Sequence, residues 1–181
     1  MEIEYFIGIV PPEDYLKRIV KFQNKWMEQI RVEPHVTLKA QGGLTLDKKW
    51  INKVRKVCQD FPPFSLALSQ PRFFGVNILY LSVQSTLLYE LHEKLVREIS
   101  PSDQLIQTYF ELVDFVPHLT LGKEGYGVSK QDLQDMKLSV EKELTPYRAF
   151  EVDFIRIYEK KREQHKYERL VDIDLEGQSE N

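Results

Sequence analysis

The chain has 181 residues, enough for one substantial hydrophobic core but not for two independent ones, so a single domain over residues 1–181 is predicted. Hydrophobic residues make up 42% and charged residues 29%, a balance that excludes disordered, collagen-like and membrane-spanning chains. The formal net charge of −3 argues against broad nucleic-acid affinity, because such binding depends on many Lys and Arg contacts with phosphates.

The first part of the chain alternates predicted strands and helices. Glu4–Val10 is a short apolar run that ends at two prolines, which is typical of a buried strand. Asp14–Ile30 carries apolar residues three and four positions apart, and this spacing predicts a helix with one packed face. His35–Ala40 predicts a second strand, and the apolar spacing after Asp47 predicts a second helix.

The second part of the chain begins with a predicted hairpin of Phe64–Leu68 and Ile78–Val83 around turn residues. The next predicted elements are helix Leu87–Ile99, an irregular stretch over 100–116, strand His118–Gly122, helix Lys130–Leu144 and strands Phe150–Glu159 and Arg169–Leu175. The last residues, about six, are predicted to be frayed. Helices interleaved with hairpin-connected strands predict an α+β fold with largely antiparallel sheets.

Two segments of the chain share the pattern Pro-His-x-Thr-Leu. The copies are Pro34–Leu38 and Pro117–Leu121, in a chain with only four histidines, so coincidence is a poor explanation. Residues two apart in a strand point to the same face. Each copy therefore presents an imidazole and a hydroxyl on one face and buries two apolar residues on the other. If the copies come from equivalent halves, their polar faces can meet across a cleft.

The four side chains on these polar faces, His35, Thr37, His118 and Thr120, suit phosphate ester chemistry. Histidine titrates near neutral pH, so one ring can accept a proton while the other donates one. Displacement at phosphorus calls for such groups on opposite flanks, and hydroxyls can donate hydrogen bonds to the non-bridging oxygens. This chemistry requires no metal, and the carboxylates show no metal-ligand spacing relative to these histidines.

The paired motifs resemble those of the two-histidine phosphoesterase superfamily, which includes bacterial RNA 2′,3′-cyclic phosphodiesterases, also called 2′-5′ RNA ligases. Tyr5–Ile9 is similar to the opening strand of this family, and Val152–Tyr158 with Tyr167 is similar to its closing hairpin. The resemblance implies a bilobal fold of two sheets with pseudo-twofold symmetry around a central cleft, and helices on the outer faces. It implies His35 and His118 as the catalytic pair and no metal or nucleotide cofactor.

Two lysines that follow the motifs are further candidates for binding phosphate. Lys39 comes directly after the first motif, and Lys123 lies where many members of the family carry a basic residue. Lysines at strand ends are also commonly solvated, so each lysine has an alternative role on the surface. The predicted substrate-binding residues are Thr37, Thr120, Lys123 and Lys39.

The sequence therefore predicts a metal-independent phosphodiesterase that acts on a cyclic phosphate by paired-histidine acid–base catalysis. The expected partner is a small phosphorylated substrate or an RNA end. One alternative is a non-catalytic module that binds a nucleotide or RNA end, and another is a protein that recognises partners through surface helices. A lone cysteine, Cys58, and the absence of any run of roughly 18 apolar residues predict a cytoplasmic protein without a membrane span.

Overall fold

The computed structural model describes residues 2–178 and shows an α+β fold, which confirms the predicted fold class. The eight strands are β1 Glu4–Ile9, β2 Val36–Lys39, β3 Phe64–Phe74, β4 Ile78–Gln84, β5 His118–Lys123, β6 Ala149–Val152, β7 Phe154–Lys160 and β8 Glu168–Asp174. The α-helices are α1 Glu13–Asn24, α2 Trp50–Gln59, α3 Thr86–Ile99, α4 Asp103–Thr108 and α5 Lys130–Leu144, and a 3-10 turn covers Leu112–Asp114.

All eight strands form one antiparallel sheet in the order β6-β3-β4-β5-β2-β1-β7-β8. This order is symmetrical about the junction between the two motif strands, β5 and β2. The junction consists of a single residue pair, Val36 with Leu119. The two predicted sheets are therefore the two halves of one sheet, joined edge to edge where the motifs lie. This continuity supports our proposal of a single domain.

Each motif strand is covered by a helix from the opposite half of the chain. Helix α3 packs on β2 and against α2, and α1 packs on β5 and against α5. The apolar residues of both motifs lie in the resulting core and are 0% exposed: Val36, Leu38, Leu119 and Leu121. Burial of each such side chain contributes about 1.5–3 kcal/mol. The apolar half of each motif thus holds the core together and leaves its polar half on the open face.

Several predicted elements have different bounds in the structure, among them the strand predicted over Phe64–Leu68, which continues to Phe74. The first helix ends at Asn24 rather than Ile30, where the chain turns back on Gln23. The strand predicted over 150–159 is interrupted at Asp153, and its two parts join distant strands of the sheet. The stretch predicted as irregular contains α4 and the 3-10 turn. No helix within residues 2–178 is both long enough and apolar enough to cross a membrane.

The end of the described chain is packed rather than frayed. The backbone N–H of Glu176 donates to the Cys58 carbonyl, and that of Gly177 donates to the Phe61 carbonyl, both at 3.0 Å. A β-carbon on Gly177 would lie 2.6 Å from a backbone atom of Phe61. The predicted fraying is therefore wrong for Glu176 and Gly177, because these hydrogen bonds attach the chain to the end of α2. Of the rest of that prediction, Gln178 is exposed, and residues 179–181 lie outside the described residues.

We expect Gly177→Ala to lower the free energy of unfolding by about 1–3 kcal/mol, because the added methyl group forces two tightly packed backbone segments apart. Urea denaturation measures this change. The exposed neighbour Gln178→Ala is the control and should change the free energy by less than about 0.5 kcal/mol. Equal stabilities for the two variants would contradict a packed C-terminal segment.

Candidate active site

The two motif strands lie side by side at the centre of the sheet, and their antiparallel register sets the positions of the polar side chains. Extending that register by one residue on each side places His35 opposite Thr120. It likewise places Thr37 opposite His118. Cross-strand partners project to the same face, so all four side chains lie on one face, with the two histidines at diagonal positions, which are typically about 7–8 Å apart in a sheet. The structure thus brings together the two histidines and two threonines singled out in the sequence.

Two cavities open on this face of the sheet. The first, of about 280 Å³, is lined by His35 and Thr120, and we call it the His35 cavity. The second, of about 550 Å³, is lined by His118 and Thr37, and we call it the His118 cavity. Each cavity combines the histidine of one motif with the threonine of the other, as the antiparallel register requires. Within residues 2–178, no group of His, Cys, Asp and Glu side chains suited to hold a metal ion occurs.

Both imidazoles are oriented in the same way. Nδ1 of His35 lies 2.8 Å from the Glu33 carbonyl oxygen, and Nδ1 of His118 lies 2.8 Å from the Val116 carbonyl oxygen. A carbonyl can only accept, so Nδ1 carries the proton in the neutral ring and Nε2 keeps its lone pair. Neither Nε2 has a hydrogen-bond partner among residues 2–178. Nε2 is therefore the atom of each ring that can exchange a proton with a ligand.

The orientation of His35 is supported by a network that the sequence analysis did not find. The Phe6 and Tyr158 rings stack at 4.5 Å, and the His35 ring lies 4.8 Å from Phe6. The Tyr158 hydroxyl donates to Glu33 Oε1 at 2.8 Å, and Arg156 Nη1 donates to the same oxygen at 2.6 Å. These bonds fix Glu33, whose carbonyl accepts the Nδ1 proton of His35. The network thus restricts the imidazole to one orientation.

A similar aromatic arrangement surrounds His118. The Phe74 and Tyr80 rings stack at 4.2 Å, and the His118 ring lies 4.8 Å from Phe74. The segment before His118 is held by the buried His92, whose Nε2 accepts the backbone N–H of Leu112 at 2.9 Å. The two histidines therefore share their aromatic surroundings, but different parts of the chain hold the carbonyl groups that orient them.

The pKa values of both histidines are lower than usual. Burial, together with the nearby charge of His118, lowers the pKa of His35 to about 4, against the opposing effects of the Glu33 carbonyl and carboxylate. Burial also lowers the pKa of His118, against the opposing effect of the Val116 carbonyl. Both rings are therefore neutral at neutral pH in the ligand-free protein. A bound phosphate anion raises both pKa values, because it stabilises the protonated ring.

A β-bulge after the first motif determines where Lys39 points. Gly8 pairs with Thr37, but Ile7 pairs with Lys39, so Leu38 is the extra residue on β2. Cross-strand partners share a face. Lys39 therefore lies on the face of Ile7, which is 0% exposed, and not on the face that carries Thr37.

The ammonium group of Lys39 donates all of its hydrogen bonds to groups inside the protein. It donates to the carbonyl oxygens of Ala40 at 2.7 Å and Gly42 at 2.6 Å, and to Glu111 Oε1 at 2.9 Å. These three bonds use all of its N–H groups, and the side chain is 0% exposed. The prediction that Lys39 binds phosphate is therefore wrong, because strict strand alternation does not hold past the bulge.

A matching bulge after the second motif has the opposite effect on Lys123. Tyr80 pairs with Thr120 but Ile78 pairs with Lys123, so β5 has one extra residue, Leu121, in this stretch. Lys123 therefore projects to the same face as its partner Ile78. Ile78 lies two residues from Tyr80, so this is also the face of Tyr80 and of its partner Thr120. Its side chain lines the His35 cavity. Without the bulge, alternation along the strand would turn Lys123 towards the helices.

A sequence profile of the 2′-5′ RNA ligase superfamily matches residues 12–164. The chain belongs to this superfamily. Membership of the 2′-5′ RNA ligase superfamily confirms the resemblance found in the paired motifs and supports an enzyme that acts on phosphodiester bonds. A comparison with curated protein sequences finds no significant match.

Several solved structures share the fold of this superfamily member. TT0787 of Thermus thermophilus has a TM-score of 0.71 at 14% identity, over 97% of this chain and 100% of that one. E. coli LigT complexed with 3′-AMP has a TM-score of 0.63 at 15% identity, over 98% of this chain and 100% of LigT. The structure of a phosphoesterase has a TM-score of 0.61 at 16% identity, over 97% of this chain and 99% of the phosphoesterase chain. LigT has also been crystallised with ATP, NADP+ and phosphate.

We expect Lys39→Met to lower the free energy of unfolding by about 3–5 kcal/mol, because it leaves the Glu111 carboxylate buried without its partner. The double variant Lys39→Met/Glu111→Leu removes both charges and should recover most of that loss. Urea denaturation of the two single variants, the double variant and the unmodified protein gives the coupling energy. Additive losses with no recovery in the double variant would contradict a buried ion pair.

Proposed function

We propose that this protein is a metal-independent phosphodiesterase that opens a cyclic phosphate, on an RNA end or a related nucleotide, through His35 and His118. The register of β2 and β5 carries this proposal, because it sets two imidazoles diagonally on one face of the sheet. Their unbonded Nε2 atoms are suited to proton transfer. LigT has been crystallised with 3′-AMP, a nucleotide whose phosphate is one of the two monoesters that opening a 2′,3′-cyclic phosphate can give, and this supports a nucleotide-like ligand.

The proposed reaction is hydrolysis with in-line displacement at phosphorus. The neutral imidazole on one flank takes a proton from water, and the water oxygen forms a bond to phosphorus. The bond from phosphorus to one ribose oxygen breaks, and the protonated imidazole on the other flank gives that oxygen its proton. The product is an open phosphate monoester, and proton exchange with solvent restores the two rings. Ligation would be the same displacement with a hydroxyl of a second ribose in place of water, and its product would be a phosphodiester.

The two threonine hydroxyls are proposed to stabilise the transition state. Thr37 and Thr120 lie on the same face as the imidazoles, and neither hydroxyl donates a hydrogen bond to another residue among those described. Each can therefore donate to a non-bridging oxygen, where negative charge increases as the water attacks. Lys123 lies on the same face but further along β5, so its proposed role is to bind the substrate and not to stabilise the transition state.

The contrast between the two cavities supports a nucleotide as the ligand. Aromatic rings dominate the His118 cavity, among them Phe74, Phe110 and Phe115, and unpaired bases stack well on such rings. The His35 cavity is the more polar and carries Lys123. A nucleobase beside His118 would place the phosphate at the junction between the two motifs.

A non-catalytic binding module is the second candidate. The lowered pKa values of both histidines favour it, because the ligand-free protein then holds no protonated ring at neutral pH. Calorimetric titration with adenosine 2′,3′-cyclic phosphate, followed by product analysis of the same sample, distinguishes the two functions. Binding with an unchanged ligand would favour the module, whereas conversion to a monophosphate supports the enzyme.

We expect His35→Ala or His118→Ala to lower kcat/KM for adenosine 2′,3′-cyclic phosphate by about 10²–10⁴-fold in buffer without metal. The double variant should lose about as much as either single variant, because both rings act in the same step. Chromatography of the products measures the rate, and Arg55→Ala, at an exposed position of α2 outside both cavities, is the control. Full activity of either single variant would refute the paired mechanism.

The lowered pKa values predict an acidic optimum for kcat/KM. The free enzyme with one neutral and one protonated ring is most populated between the two pKa values, and burial moves both below the ordinary 6.5. The value of kcat/KM should therefore be highest below pH 6.5 and fall as pH rises. The value of kcat should peak at higher pH, because bound phosphate raises both pKa values. Steady-state kinetics across pH measures both profiles; a kcat/KM maximum well above neutral pH would contradict this assignment.

A further inference from the structure

The acidic side chains that line the His35 cavity are already neutralised by partners. Glu4 Oε2 lies 3.0 Å from Lys160 Nζ. Glu33 Oε1 lies 2.6 Å from Arg156 Nη1. Paired carboxylates contribute little net negative charge, so the field inside the cavity depends on the remaining charged groups.

Two cations in the same cavity lack such a partner. No carboxylate of residues 2–178 lies within ion-pair distance of Arg31 or Lys123. Both approach the ring of Tyr126, the guanidinium at 4.5 Å and the ammonium at 5.5 Å. A contact with an aromatic ring orients a cation but leaves N–H groups free to bind an anion. Both side chains are also exposed, so a ligand can reach them.

These cations are displaced from the centre of the proposed reaction. Lys123 lies three residues beyond Thr120 on β5, about 10 Å along the strand. Arg31 precedes His35 by four residues, in a segment that belongs to no helix or strand. The reacting phosphate already has two imidazoles and two hydroxyls around it. Arg31 and Lys123 are therefore placed to bind a different anionic group.

Positive charge is confined to one side of the cleft. Among residues 2–178, no lysine or arginine lines the His118 cavity, whose charged residues are Glu111 and Asp114. Glu111 is paired with Lys39. This difference is notable because the chain as a whole has a net charge of −3. An asymmetric ligand with a second anionic group would thus bind in one orientation only.

We propose that Arg31, Lys123 and Tyr126 form a second anion site that holds a phosphate which does not react. The substrate class is then a cyclic-phosphate nucleotide or RNA strand with at least one further phosphate. That phosphate lies beside His35, and the base lies beside His118. This inference rests on the proposed function, because it assigns a second group of the same substrate.

The test compares two ligands that differ by one phosphate, 3′-AMP and adenosine 3′,5′-bisphosphate, in calorimetric titrations with the full chain. The bisphosphate should bind about tenfold more tightly, since charge-assisted hydrogen bonds are strong even where solvent screens them in part. Arg31→Gln/Lys123→Gln should bring the ratio of the two dissociation constants close to one. The matched control Arg55→Gln/Lys94→Gln, which removes the same charges from exposed positions on α2 and α3, should keep the ratio of the unmodified protein.

The outcomes separate this inference from the proposed function. Equal affinity for the two ligands, no binding of the bisphosphate, or an advantage that persists in Arg31→Gln/Lys123→Gln would each overturn the anion site. If cyclic phosphates are turned over but the ratio is one, the proposed function stands without the second site. If the ratio depends on Arg31 and Lys123 but no cyclic phosphate is turned over, the anion site stands and the proposed catalysis fails.

Discussion

The single antiparallel pair between β2 and β5 is the contact on which the arrangement of the cleft depends. Side chains alternate along a strand, so a slip of one residue would turn His35 or His118 into the helix layer. The slip is prevented by burial, because Val36 and Leu119 are 0% exposed beneath helices from opposite halves. The hydrophobic core thus fixes the relative position of the two imidazoles, although no apolar residue of the core takes part in the proposed reaction.

The two halves of the sheet have the same strand arrangement, and each has a β-bulge at the same place in its motif strand. Each motif strand has its register shift directly after the threonine. The residues that follow the shifts, Lys39 and Gly122, both face the helices. A β-carbon at Gly122 would lie 2.9 Å from Leu133 on α5, whereas Lys39 fills the equivalent space in the other half and pairs with Glu111. The same backbone feature therefore serves packing in one half and directs Lys123 into the cleft in the other.

Symmetry of the backbone and asymmetry of the cavities have different consequences for function. The equivalent imidazoles each place one Nε2 at the cleft, as a reaction with two proton transfers requires. The cavities around them come from loops that are not equivalent. The segment around Arg31 and the segment around Phe110 give one side cationic groups and the other side aromatic surface. Loops can differ in this way because they carry little of the core.

The amino-acid sequence was enough to predict the α+β class and the shared polar face of His35, Thr37, His118 and Thr120, because strand alternation is local and the motif occurs twice. That Lys123, and not Lys39, reaches the cleft became clear only in the folded chain, since a bulge depends on pairing with a neighbouring strand. The bond between Arg156 and Glu33 joins residues 123 positions apart. No local pattern encodes such a contact, because it forms only when distant strands are brought together.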